Sequence, residues 1–167
     1  MSQPRKLQIT IIATITMLSL ACPLSYTAAR GGISHTDIAT AKRIDELPPE
    51  IRDAVLQWQS TCGSPLAARP LFAHYLEDKT SGYRLISLHF HELRCDNEAA
   101  LCTKQGCLHQ VYVSTDGTYS LALAANVPEL TLTFIDHKPA VEIGCALPLD
   151  PRCPRVLHWD GRGFAEQ

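Results

Sequence analysis

The chain is short of several things. After its N-terminus it has no further long apolar run. A helix that spans a bilayer needs ~20 apolar residues, which excludes a spanning helix from the rest of the chain. It has no excess of positive charge, with 15 Lys+Arg against 17 Asp+Glu, and so no electrostatic footprint for nucleic acid. It has no internal repeat and no low-complexity tract. G-x-S-x-G, H-E-x-x-H and a glycine-rich phosphate loop are all missing, which removes the common serine hydrolase, zincin and nucleotide-binding templates. There is no C-x-x-C, so a thioredoxin-like centre is excluded.

What is present begins with an address. Arg5 and Lys6 precede a nearly uncharged apolar run, Leu7 to Leu20, followed by Ser25-Tyr26-Thr27-Ala28-Ala29. A basic start, a short apolar stretch and then small residues read as a secretory signal peptide over residues 1–29. Leu18-Ser19-Leu20-Ala21-Cys22 adds a second possibility, a lipid anchor at Cys22. Removing 29 residues from 167 leaves 138, enough for one domain. Arg5 and Lys6 leave with them, so 13 basic residues face 17 acidic ones and the net charge is −4. The expected localisation is the periplasm or the outside of the cell.

Export decides how the cysteines are read. Without Cys22 there remain Cys62, Cys95, Cys102, Cys107, Cys145 and Cys153, an even number in an oxidising compartment. Disulfides are then the default. A zinc site of cysteines wants tight C-x₂₋₄-C pairs, usually two, and only Cys102 and Cys107 are close enough. Pairing Cys102–Cys107 and Cys145–Cys153 would close two small loops beside strands, and Cys62–Cys95 would clip a helix end to a sheet. Six cysteines allow ~15 connectivities, so this is one arrangement among several.

Residues 30–44 lack a clear period and read as a flexible lead-in. From 45 to 167 the pattern is that of a single α+β domain. Pro48-Pro49-Glu50 suits a helix start. Ile51, Ala54, Val55 and Trp58 make one apolar face, and Gly63 suits the stop. Strand patterns follow at 70–78, 83–93, 108–114, 118–124, 129–136, 141–145 and 156–160, with Asp116-Gly117 marking a hairpin. The expected fold is one N-terminal amphipathic helix packed on an antiparallel meander, stapled by disulfides.

Two stretches carry a resemblance. One is Cys95, then Cys102-Thr103-Lys104-Gln105-Gly106-Cys107, then the strand from His109 to Val113. The other runs from Gly144-Cys145 through Cys153 to Trp159-Asp160-Gly161-Arg162-Gly163-Phe164. Together they resemble a family of small exported, cysteine-containing alphaproteobacterial proteins, over roughly residues 45–167. That family has no assigned activity, so the resemblance implies export and a fold without a mechanism. Some relatives have Gly and Ser where this chain has Thr103-Lys104-Gln105. Some have an Asp-rich loop where this chain has Glu77-Asp78-Lys79-Thr80-Ser81-Gly82, which holds too few oxygen ligands for a dedicated Ca²⁺ site.

The residues with chemistry are His89 and His91. On one strand their imidazoles point the same way, about 7 Å apart, half of a copper, zinc or nickel site. His109, His74 or Glu92 would complete it if the sheet brought them near. The plainer reading is a half-exposed sheet face bearing amphipathic histidines. Ser64 follows a helix without a base that the sequence can place, and Glu92, Asp96 and Glu98 read as a charged loop. Tyr112, Trp159 and Phe164 read as core. On sequence alone the first expectation is a non-enzymatic exported domain, without a cofactor, that binds a protein or envelope component. A Cu- or Zn-binding protein using His89 and His91 comes second, and a small exported hydrolase third.

Overall fold

In the computed structural model the residues described are 39–63, 65–145 and 153–166. The signal segment and Cys22 lie outside them. All the described residues fall within one compact unit, Ser34–Gln167. Among them no helix is long and apolar enough to cross a membrane.

Chain order begins with three short helices, α1 (Lys42–Asp45), α2 (Pro49–Leu56) and α3 (Gln59–Cys62). Pro49 stands at the first turn of α2, where its missing N–H is no loss. Glu50 Oε1 accepts a hydrogen bond from the Tyr119 amide at 2.7 Å, tying the helix start to a distant strand. Ile51 and Val55 are fully buried, and the Trp58 ring stands edge-on to Phe90 at 5.6 Å. The helix read from Pro48 to Gly63 is thus broken at Gln57–Trp58, and Gly63 at φ 74° ends its last piece in the left-handed conformation. The domain also starts earlier than its period suggested. Thr40 bridges Ala68 and Ile44 is buried in the core, so this end of the lead-in is packed.

The strands that follow are β1 (Ala67–Ala68), β2 (Ala73–Glu77), β3 (Arg84–His89), β4 (Leu93–Arg94), β5 (Cys102–Thr103), β6 (Gly106–Ser114), β7 (Ser120–Val127), β8 (Leu130–Ile135), β9 (Lys138–Ile143), β10 (Arg155–Trp159) and β11 (Phe164–Ala165). All pairings are antiparallel. They form three sheets rather than one meander. The main sheet runs β2-β3-β6, with β5 and β7 both on β6, the second runs β8-β9-β10-β11, and β1 pairs with β4.

The main sheet is covered on both faces, which explains why β3 is buried at five of its six positions. Ile86, Leu88 and Tyr112 face the helices and join Ile51, Val55, Phe72 and Phe90 in one core. On the opposite face Val111 and Val127 pack with Leu130, Val141, Ile143 and Leu157 of the second sheet. Tyr112 is core as expected. Trp159 and Phe164 are half-buried, with their rings 5.5 Å apart.

Three disulfides join Cys62 to Cys95, Cys102 to Cys107, and Cys145 to Cys153. The first brings the end of α3 to the chain just after β4, where the Asp96 amide also donates to the Cys62 carbonyl at 3.1 Å. The second spans the β5–β6 hairpin, whose register places Cys102 opposite Cys107. Gly106 in that hairpin is required by space. A Cβ there would stand 2.1 Å from the Val127 carbonyl carbon, and φ is +134°.

Candidate metal centre

Strand 83–93 does not run through as its alternation suggested. β3 stops at His89, and Phe90–Glu92 forms a single 3₁₀ turn before β4. The turn drops Phe90 into the helical core and lets the chain leave the main sheet to pair with β1. His89 therefore ends a strand and His91 sits on a turn, not both on one strand face. Their rings nonetheless stay close, with centroids 5.9 Å apart.

Long-range pairing supplies the rest. The register sets His89 directly opposite His109 on β6, and their rings meet at 4.8 Å. His109 and His91 are 5.7 Å apart. A ring nitrogen from each of His89, His91 and His109 lies within 4.8 Å of the other two. A tetrahedral zinc ion with Zn–N of about 2.0–2.1 Å holds its nitrogens roughly 3.3–3.4 Å apart. The three side chains would draw in by about an ångström around such an ion, and His91, half exposed on its turn, has the freedom to do so. His74, an exposed residue on β2, stacks on His89 at 4.4 Å without joining the three.

The polar partners of these rings orient them. His109 is wholly buried. Its Nδ1 lies 2.9 Å from the Cys107 carbonyl, an acceptor, so Nδ1 carries the proton and Nε2 keeps its lone pair. That Nε2 is buried with no hydrogen-bond partner among the described residues. A buried polar atom left without a partner calls for an explanation. A backbone carbonyl holding one imidazole nitrogen while the other stays bare is the usual second-shell arrangement of a metal-bound histidine. Ser87, two residues before His89 on the same face, sits 2.9 Å from His89 Nε2. With the proton on Nε2 and donated to the Ser87 oxygen, Nδ1 would carry the free lone pair. Glu92 Oε1 is 3.5 Å from His91 Nε2 and its other oxygen 3.7 Å from Arg69, so Glu92 steadies His91 and takes no place in the cluster itself.

Burial, reinforced by the neighbouring imidazoles of His109, His74 and His91, holds the His89 pKa down to about 3. Burial also lowers that of His109, against its hydrogen bond to the Cys107 carbonyl and the nearby charge of Glu129. Both rings are neutral at pH 7, the form that binds metal. The unfolded chain takes up these protons near pH 6.5, well before the folded one. The stability carried by His89 is thus complete above pH 6.5 and is lost as pH falls toward 3, and His109 acts in the same direction. Metal-free protein should accordingly lose melting temperature between pH 7 and 5, and His89→Gln should flatten that dependence. Parallel curves for the two proteins would contradict it.

The three histidines line a groove of about 610 Å³ that is also lined by residues of β2 and of β8. Leu71, Leu76, Pro128, Leu130 and Leu132 contribute apolar lining, and Glu92 and Glu129 line it too. Sequence alternation could have pointed to Ser87, which shares the His89 face, but nothing in the sequence signals Glu129 or the Cys107 carbonyl. The chain matches no protein-family model, no curated protein and no solved structure.

Proposed function

We propose that this chain is an exported, disulfide-stapled domain that binds one transition-metal ion through His89, His91 and His109. The observation that carries the reading is His109 Nε2, a fully buried nitrogen whose lone pair has no hydrogen-bond partner among the described residues and stands beside two further imidazoles. A structural histidine in a core would have both nitrogens satisfied. Imidazole donors without thiolate suit Zn(II) and Cu(II), with Cu(II) the tighter. Export to the periplasm or beyond is supported by the N-terminal residues, and the three disulfides fit an oxidising compartment. A role in binding a protein or envelope component is compatible with it, since exposed Leu71 and Tyr75 flank the groove.

Equilibrium dialysis of metal-free protein against Zn(II) and Cu(II), with elemental analysis, tests the reading. One ion per chain is expected, with His91→Ala weakening affinity roughly tenfold to a hundredfold. Protein that retains neither ion at micromolar concentration would exclude it.

A further inference from the structure

Resting on that metal-site reading, we propose that zinc held here keeps one coordination position open to the groove, and that water bound there hydrolyses small uncharged carboxylic esters. The first support is the ligand count. Structural zinc sites close with four protein ligands, whereas catalytic ones use three and leave the fourth position to water. Among the described residues the cluster has three donors and no fourth. His74 stacks on His89, and Glu92 is turned to His91 and Arg69.

The second support is charge. Three neutral imidazoles leave the full +2 on the ion, the condition under which bound water ionises near pH 7. The third is the setting. Two ligands, His89 and His109, are buried, so the ion would lie within the groove and not on the open surface. The volume of about 610 Å³ falls within the range of roughly 300–1,000 Å³ usual for small-molecule sites. Leu71, Leu76, Leu130 and Leu132 offer apolar lining, while Glu92 and Glu129 in the same lining oppose an anionic substrate. An uncharged ester with a short acyl chain fits that lining.

Glu129 is the carboxylate left to move the proton. It stands where β7 turns into β8, its side chain packed over Gly144, where a Cβ would come within 3.1 Å of its Oε2. Zinc-bound water gives a proton to Glu129, and the resulting hydroxide attacks the ester carbonyl carbon. The ion stabilises the tetrahedral oxyanion. The bond to the alkoxy oxygen then breaks, Glu129 returns the proton to the departing alcohol, and the acid leaves as the next water binds. Ester and water become acid and alcohol with no oxidant or reductant.

The test uses the purified chain stripped with chelator and reloaded with zinc, assayed on 4-nitrophenyl acetate, with bound zinc measured in the same samples. The expected result is one zinc per chain and a rate at least tenfold above equal free zinc. Glu129→Gln should hold zinc equally well but lose roughly a hundredfold in kcat, a usual scale for general-base loss. One bound zinc with no rate above the free ion, or Glu129→Gln at full rate, would overturn the hydrolytic inference and leave the metal site standing. Absence of bound zinc would remove the hydrolytic inference, and absence of bound copper as well would remove the metal site with it.

Discussion

A chain with Cys62→Ala and Cys95→Ala together should melt far below one with Cys102→Ala and Cys107→Ala, both measured without reductant. The first bridge spans 33 positions and the second only five. In the chain-entropy model a loop of the first size is worth ~3–4 kcal/mol and one of the second ~2 kcal/mol. Burial widens the difference. Cys62 is fully buried and Cys95 nearly so, packed in the core that joins the helices to the main sheet, so alanine there also leaves small voids. Cys102 and Cys107 are half-buried and face each other across a hairpin that β6 holds by pairing with β3 and β7 as well. The short-bridge variant should keep its fold with a loosened entry to β6. If it is the more damaged of the two, the hairpin at Cys107 is a folding element and not a local clip.

The second large effect concerns His109. In metal-free protein its buried, unpartnered Nε2 is a standing penalty, since an unsatisfied buried polar atom costs about 1–3 kcal/mol. His109→Leu removes that atom together with the Nδ1 hydrogen bond to Cys107, worth about 1 kcal/mol. The two changes offset, and metal-free His109→Leu should be at least as stable as the parent. Added ion should then separate them. An ion at a hundred times its Kd stabilises the parent by about 2.7 kcal/mol, and the leucine variant should gain nothing. Thermal melts with and without Zn(II) or Cu(II) read both signs. A variant that is much less stable without metal would make His109 a structural residue instead. One that still responds fully to metal would place the ion elsewhere.

How much of this was legible depends on the range of the interaction concerned. Asp116-Gly117 announced its hairpin because the turn is local chemistry. Gly117 has φ 98° and the Asp116 side chain accepts the Thr118 amide. Ile51 and Val55 announced a helix face for the same reason. Phe90 joins Ile86 and Leu88 in the helical core, as strand alternation alone would place it, yet the 3₁₀ turn that carries it is invisible to that pattern, because alternation continues through a single tight turn unchanged. His89 and His91 stood out as a pair. That β6 would set His109 opposite His89 is a matter of register between strands twenty residues apart, which the sequence left open among several partners. The division into two stacked sheets was equally hidden. β7 and β8 are joined by only Pro128 and Glu129, and whether the chain there continues one sheet or starts another is decided by which face finds apolar cover.

The placement of the histidines on the sheet has a consequence for how quickly an ion could be passed on. β3 and β6 are paired on both flanks, so His89 and His109 are carried by backbone that opens only with the whole domain. His91 is carried by a turn, and His74 by β2, which has a single neighbour. Affinity and residence time at the proposed site would thereby be governed by different parts of the molecule. The central strands would fix how tightly two imidazoles grip an ion, while the turn would set how often the third lets go. Each time it does, an incoming donor can take the vacated position before the last two bonds break. A site so built would hold an ion against dilution and still surrender it promptly to a competing ligand.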